Sequence, residues 1–138
     1  MNILIDTNVM LDALMNRNPH NISAEKIFRF VAEDKLNASI TASSVTDIYY
    51  FINKYFHDTN QAKQILTTIF NIFEVIDVTR SDCEKALILL MDDYEDALLA
   101  TCAKRRRIEL IITRNLKDFV GSPVTAITPD DFLANYFE

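Results

Sequence analysis

The hydrophobic pattern opens with a short apolar run that ends in a carboxylate. Ile3, Leu4 and Ile5 follow one another without alternation, and Asp6 comes directly after them. An unbroken run of this kind is typical of a strand covered on both faces, as in a parallel sheet between layers of helices. Ligands of open α/β sheets bind at the carboxyl ends of the strands, so Asp6 lies where a site is expected. Taken alone, Asp6 is equally explained as a residue of an ordinary strand-to-helix turn.

The same pattern predicts an alternation of strands and helices along the rest of the chain. Further strands are predicted at residues 38–41, 73–78, 110–113 and 124–127. Helices are predicted at 9–14, 22–34, 62–70 and 93–107, and three more begin at Ser44, Ser81 and Thr128, while 114–119 form a loop or short turn. This order predicts an α/β fold, a three-layer α/β/α sandwich with a mainly parallel five-stranded sheet. No linker or repeat divides the chain, so residues 1–138 are expected to form a single domain.

Two of the predicted helices begin with a pattern that resembles a capping box. Ser44 is followed three residues later by Asp47, and Ser81 by Glu84. In a capping box the side chain of the cap residue accepts a hydrogen bond from the third helical backbone N–H, and the acid at that third position accepts one from the backbone N–H of the cap residue. The helix that begins at Ser81 is expected to end near Met91.

The helix after the second strand is apolar or aromatic nearly all round across residues 48–52. A helix of that composition is expected to be central and largely buried. Tyr49, Tyr50, Tyr55 and Phe56 are accordingly interpreted as mostly core residues, although one of them could stack on a nucleic acid base.

Composition then removes several kinds of chemistry. Gly121 is the only glycine, which excludes a P-loop and a dinucleotide-binding fingerprint, since both need several glycines. His20 and His57 lie in polar linkers and are interpreted as solvated residues rather than general bases. Cys83 and Cys102 lack metal-ligand spacing and are interpreted as buried, reduced thiols. With no signal pattern and no long apolar run, the chain is expected to be soluble and cytoplasmic and to avoid membranes.

The acidic residues become informative when they are placed on the predicted topology. Helices that leave a strand directly begin at the carboxyl edge of the sheet, and so does the helix that feeds the fourth strand. One edge therefore gathers Asp6, Asp47, Asp93, Asp96 and Asn115, with Asp118 nearby.

Carboxylates that converge without a basic partner repel one another strongly and so call for a cation. Ligands that are all oxygen suit the hard ions Mg²⁺ and Mn²⁺, and the chemistry that follows is metal-assisted phosphodiester hydrolysis. Each acid also has a structural explanation. Asp47 could be the capping-box acid of its helix, and Asp93 and Asp96 could be an N-cap and a first-turn acid.

Four blocks of the sequence resemble the PIN-domain family, in the branch that includes VapC-type toxins. They are Ile3–Asn8, the acid Asp47, the segment Asp93–Ala100 and the segment Ile111–Phe119. The resemblance spans the whole chain and depends on the order and spacing of the blocks. It implies an endoribonuclease that cuts RNA with Mg²⁺ or Mn²⁺, often as a homodimer and often neutralised by an antitoxin protein.

The resemblance also assigns roles to particular residues. Asp6, Asp47 and Asp96 match the metal-binding acids of the family, and Asp93 matches an additional acid of this branch. These four are the expected catalytic and metal-binding residues. Position at the same edge, rather than the resemblance, predicts further residues. Supporting residues are expected at Thr7, Asn8, Thr113, Asn115 and Asp118, and RNA contacts at Arg114 and Lys117.

Two positions depart from the family pattern. The second acid is commonly glutamate, whereas Asp47 is shorter by one methylene, so its contact with a metal could pass through water. The position of Asn115 is often aspartate, which puts a second metal ion in doubt. The net charge of −6 does not exclude an RNA enzyme, because bound divalent ions would reduce it.

Two other functions stay open at this point. A Mg²⁺-dependent small-molecule phosphatase of another acid-rich α/β fold also begins with a strand and an aspartate, but it needs a second acid where Asn8 stands. A non-catalytic PIN-like binding module is made plausible by Asn115.

Overall fold

A computed structural model, which describes residues 1–137, contains one sheet of five strands in the order β3-β2-β1-β4-β5. The strands are β1 (Asn2–Ile5), β2 (Asn37–Thr41), β3 (Glu74–Ile76), β4 (Leu110–Ile112) and β5 (Ala126–Ile127). Every neighbouring pair is parallel. The helices are α1 (Thr7–Leu14), α2 (Asn21–Ala32), α3 (Ala42–Phe56), α4 (Thr59–Ile72), α5 (Arg80–Ala86), α6 (Tyr94–Arg105) and α7 (Pro129–Tyr136), with a 3₁₀ helix at Leu116–Phe119. The predicted fold class is confirmed, and the sheet is parallel throughout.

The central strand explains why its apolar run does not alternate. Ile3 and Ile5 pack into a core with α1, α2, α3, α4 and α7 on one face of the sheet. Leu4 packs into a second core with α6 on the other face, and all three side chains are fully buried. A strand covered by helices on both faces has no solvent side, so it needs no polar positions.

The helix that follows β2 differs from the expectation at its start. α3 begins at Ala42, with Thr41 as its N-cap residue, so the capping box predicted for Ser44 and Asp47 is wrong. Asp47 instead lies in the second turn of the helix. The reason is that β2 runs directly into α3 without the intervening loop that a cap at Ser44 requires.

The prediction that this helix is largely buried is also wrong. α3 packs on α1 and α4 through a stripe that includes Ile48 and Ile52, and Tyr50 and Tyr55 are exposed by 59% and 46%. Tyr49 packs against the core as a partly buried side chain, as does Phe56. An outer-layer helix needs only one apolar stripe, so its remaining aromatic residues face solvent.

The next discrepancy concerns α5. Its capping box is formed by Thr79 and Asp82, with hydrogen bonds of 3.1 and 3.0 Å, and not by Ser81 and Glu84. The helix ends at Ala86 rather than near Met91. The segment after it turns so that the chain can enter α6, which packs against α5.

Other expectations from composition can be checked directly. His20 and His57 are both exposed. Both cysteines are free thiols, of which Cys102 is buried but Cys83 only partly so. Across residues 1–137, none of the helices combines the length and the apolar character that a membrane span requires.

A buried ion pair joins α5 to α6. The Asp82 side chain is 1% exposed and accepts hydrogen bonds of 3.0 Å from Arg105 Nε and Nη2. Burial acts to raise the pKa of Asp82, but hydrogen bonds from Arg105 and Thr79 outweigh it and lower the pKa to about 2. The pair therefore holds the layer that carries α6 in place.

Replacing Arg105 by alanine is expected to lower the free energy of unfolding by about 3 kcal/mol at neutral pH, because it leaves the Asp82 carboxylate buried without its partner. The folded-state pKa of Asp82 lies below its ordinary value of 3.8. The stabilisation is therefore present above that pH and is lost as the pH falls towards the folded-state pKa. Urea unfolding at several pH values measures both effects.

The neighbouring arginine provides the control for this measurement. Arg106 pairs with Glu74 on the surface, where the two side chains are 36% and 59% exposed. Arg106→Ala is expected to cost less than about 1 kcal/mol. An equal loss of stability in both variants would contradict a special role for the buried pair.

Candidate active site

Asp6 stands at the carboxyl end of β1, and its carboxylate is not used to cap the helix that follows. It occupies the N-cap position of α1 but makes no side-chain capping hydrogen bond. Its Oδ2 atom instead accepts a hydrogen bond of 2.8 Å from the Thr113 hydroxyl, and the residue is only 7% exposed. Burial raises the pKa of Asp6, while the hydrogen bond from Thr113 opposes that rise. An ordinary residue of a strand-to-helix turn does not need a buried carboxylate that is fixed by a hydroxyl donor from a neighbouring strand.

Thr113 connects Asp6 to the loop after β4. It is fully buried, and its Oγ1 atom accepts a hydrogen bond of 3.1 Å from the Asn115 amide. Asn115 precedes the 3₁₀ helix that carries Lys117 and Asp118. The predicted loop or short turn at 114–119 thus contains a short helix, and its position depends on the same hydroxyl that holds Asp6.

The N-terminus of α6 supplies two further acids. Asp93 is the N-cap residue, and its Oδ1 atom accepts a hydrogen bond of 3.0 Å from the Asp96 amide. The structural explanation of Asp93 as an N-cap is therefore correct, although its Oδ2 atom is not used by this bond. Asp96 lies in the first turn and is half-buried.

Asp96 is the acid most affected by its surroundings. Burial raises the pKa of Asp96, and the charges of Asp6, Asp93, Asp118 and Glu95 raise it further, to about 7. Since like charges act over short distances in a partly desolvated site, these effects show that the structure brings the four predicted acids Asp6, Asp93, Asp96 and Asp118 into one region.

Glu95 belongs to the same region and was missed as a site residue. Burial and the charges of Asp47, Asp93 and Asp6 raise the pKa of Glu95. The sequence feature that indicates Glu95 is its position between Asp93 and Asp96, in the first turn of a helix that begins at the acidic edge. Asp47 is half-buried on α3. Its charge raises the pKa of Glu95, which the charges of Asp93 and Asp6 also raise.

The remaining supporting residues lie close to Asp6 along the chain. Thr7 and Asn8 are half-buried in the first turn of α1. Neither side chain hydrogen-bonds another group among residues 1–137. Both are therefore available to bind water or a ligand at this edge.

The donor set of this region fits a hard divalent cation. It consists of carboxylates, hydroxyls and an amide, and burial together with the charges of neighbouring acids raises the pKa of Asp96, so a bound cation would stabilise its charged form. Within the described part of the chain, no three His, Cys, Asp or Glu side chains already form a closed group of ligands. An ion of the Mg²⁺ type keeps several waters and uses few carboxylates directly, so it does not need such a group.

Arg114 makes a contact that the sequence did not indicate. Its Nε and Nη2 atoms bind the carboxylate of Asp12 at 2.6 and 3.2 Å. Asp12 lies on α1, is fully buried, and also lies 3.6 Å from Arg17 Nη1. The sequence feature that indicates this pairing is the acid Asp12 itself, which interrupts the apolar run of α1. Lys117, the other predicted RNA contact, is exposed.

Together, the fold and this region define an α/β/α protein with a rim of carboxylates at the carboxyl edge of a parallel sheet. A family model of the PIN domain matches residues 2–117, most of the chain. The protein therefore belongs to the PIN-domain family, and the resemblance seen in the sequence is confirmed.

Individual relatives agree with this assignment. Ribonuclease VapC1 of Aquifex aeolicus strain VF5 is 25% identical over 135 residues, which cover 94% of this chain and 92% of that protein. The structure of VapBC2 from Rickettsia felis, bound to a promoter DNA fragment, has a TM-score of 0.70 at 20% identity and covers 93% of this chain and 98% of that one. A toxin-antitoxin complex from Klebsiella pneumoniae has a TM-score of 0.67 at 24% identity and covers 92% and 97% of the two chains. The two structures show that the fold is shared.

The pKa of Asp96 provides a test of how closely the acids are coupled. Replacing Asp6 by asparagine removes a negative charge that raises it, so the pKa of Asp96 is expected to fall below about 7. Carboxyl-detected NMR titration in the presence of a chelator measures this change. Asp34→Asn, at an exposed position with φ of 58°, is the control and should leave the pKa unchanged. An unchanged pKa in Asp6→Asn would show that the charge of Asp6 does not act on Asp96.

Proposed function

We propose that this protein is an endoribonuclease that hydrolyses RNA phosphodiester bonds with Mg²⁺ or Mn²⁺ and acts as the toxin of a toxin-antitoxin pair. The observation that carries the proposal is the crowding of Asp6, Asp93, Asp118 and Glu95 around Asp96, whose pKa is about 7. Membership of the PIN-domain family supports it, as does the similarity to a protein named Ribonuclease VapC1.

In this proposal the carboxylates of Asp6 and Asp96 hold the principal cation, and Asp93 or Asp47 assists directly or through water. When bound, the cation supplies a lowered pKa to a water molecule and neutralises charge on the phosphate. Thr113 fixes the Asp6 carboxylate through the 2.8 Å hydrogen bond, so that Asp6 presents its other oxygen to the edge. Thr7 and Asn8 donate hydrogen bonds to water or to the RNA.

Two departures from the family pattern shape the site. The short side chain of Asp47 favours a contact through water. Asn115 contributes an amide oxygen in place of a carboxylate, which favours one tightly bound ion over two. Asp118 lies close enough to raise the pKa of both Asp6 and Asp96, so it can replace the missing charge.

The partners follow from the relatives rather than from the site. Related structures are described as VapBC2 and as a toxin-antitoxin complex. We therefore include in the proposal an antitoxin protein that blocks the enzyme. A homodimeric state and a location in the cytoplasm are carried over from the sequence analysis as further parts of the proposal. Size measurement by light scattering tests the homodimer separately from the activity.

Metal binding and RNA cleavage should be lost together when an acid of the rim is replaced. Asp6→Asn and Asp96→Asn are expected to abolish calorimetric Mn²⁺ or Mg²⁺ binding and to lower RNA cleavage by at least about a hundredfold, because each removes a charged ligand. The exposed Asp34→Asn variant should bind metal and cut RNA like wild type. Circular dichroism confirms that each variant is folded.

Other results would favour the rival functions. Hydrolysis of a small phosphate ester without RNA cleavage would favour a phosphatase. A folded wild type that binds no metal and cuts no RNA would favour a binding module and would overturn the proposal.

A second test concerns the hydroxyl that holds Asp6. Thr113→Val keeps the shape of the fully buried side chain but removes its O–H donor. The pKa of Asp6 is expected to rise, and metal affinity to fall by about 10- to 100-fold, as for other groups that orient a metal ligand. Calorimetry at several pH values measures both, and unchanged affinity would show that Asp6 needs no orientation.

A further inference from the structure

A second concave surface lies at the same edge of the sheet, on the side away from α6. It is a cleft of about 460 Å³ lined by the α1–α2 loop at Pro19 and His20, by Ser23, by Arg114 and by residues 128–131 at the start of α7. Arg114 follows β4 and Thr128 follows β5, so two carboxyl ends of the sheet open into it. Its volume lies in the range of clefts that hold small organic ligands.

Arg114 connects this cleft to the acids of the rim. It follows Thr113, which holds Asp6, and its charge lowers the pKa of Asp6. Asp12 binds Nε and Nη2 of the guanidinium, and Nη1 has no partner among residues 1–137. The side chain is 28% exposed. Because Asp12 is fully buried and binds in a fork, the guanidinium is fixed in direction, with its remaining N–H groups available to an anion.

The opposite wall of the cleft is acidic, which limits what can bind there. Asp130 accepts a hydrogen bond from the Ser23 hydroxyl. Asp131 is exposed, and its carboxylate has no hydrogen-bond donor in the described part of the chain. A ligand in the cleft can therefore place an anionic group on Arg114 and N–H donors on the Asp131 carboxylate. A nucleotide has both, and its base can also stack on the His20 ring.

We propose that this cleft binds the nucleotide next to the bond that is cut, with its phosphate on Arg114 and its base against Asp131. Asp12 acts as a positioning residue for Arg114. A carboxylate accepts two N–H groups side by side, so guanine, which offers N1–H and N2–H on one edge, is favoured over uracil, which offers one. The assignment depends on the proposed ribonuclease function, since it makes the cleft part of that substrate site.

Nucleotide binding can be measured without cleavage. Guanosine 5′-monophosphate and uridine 5′-monophosphate are titrated into the full chain in EDTA, and amide shifts are followed by NMR. The guanosine nucleotide is expected to bind more tightly and to shift the amides of residues 20–23, 114 and 130–131. Arg114→Gln should weaken binding of both nucleotides about tenfold, as loss of a charge-assisted hydrogen bond does. Asp131→Asn should reduce the preference for guanosine.

The positioning role of Asp12 needs its own measurement. Asp12→Asn should weaken nucleotide binding about as much as Arg114→Gln, and the double variant should lose no more than either single one. Additive losses would show that Asp12 acts independently of Arg114 and would overturn its positioning role. Asp34→Asn, which removes the same charge at the opposite edge of the sheet, should bind both nucleotides like wild type.

Two results separate this proposal from the function on which it rests. If wild type cuts RNA but the nucleotides leave residues 20–23 and 130–131 unshifted, the cleft is not a subsite and the inference is overturned while the ribonuclease stands. The opposite result is also informative. If the nucleotides shift those amides and Arg114→Gln weakens nucleotide binding, but wild type cuts no RNA, the cleft is supported as a nucleotide site and the proposed ribonuclease function is overturned.

Discussion

The hydrogen bond from Thr113 to Asp6 is the contact on which the candidate site depends. It forms because β1 and β4 pair in parallel with Ile5 opposite Ile112, so that the next residue of each strand emerges at the same edge. Thr113 also holds the Asn115 amide, and through it the turn that carries Asp118. One buried hydroxyl thus sets the relative positions of residues more than a hundred positions apart in the chain.

The rest of the rim is built against an electrostatic cost. Burial raises the pKa of Asp6 and Asp96, and the charges of neighbouring carboxylates raise both further, because like charges disfavour one another's charged forms. The fold tolerates the repulsion because the elements below the rim are held by packing and by the buried pair of Asp82 with Arg105. Asp93 combines two roles in this region: its Oδ1 atom caps α6, and its Oδ2 atom is not used by that hydrogen bond.

Charge of opposite sign stands on the other side of Asp6. Asp12 is buried beneath Arg114 and fixes it beside the acids, while Arg17 approaches the same carboxylate. The carboxyl edge of the sheet therefore has two halves. One half carries the crowded acids, and in the other half Arg114 lines the cleft. In the proposed function, an RNA that lies across both halves would meet the acids that hold the proposed cation and then the guanidinium of Arg114, which would contact a phosphate.

The sequence by itself determined the parallel α/β/α fold, because unbroken apolar strands and amphipathic helices leave few other ways to bury the chain. It also determined that Asp6, Asp93 and Asp96 meet at one edge, since strand ends and helix starts fix those positions. Only the tertiary structure decided which side chains already have partners. The buried pair of Asp12 with Arg114 was not predicted, and Tyr50 proved to be exposed, because burial and pairing depend on neighbours that are distant in sequence and have no local pattern.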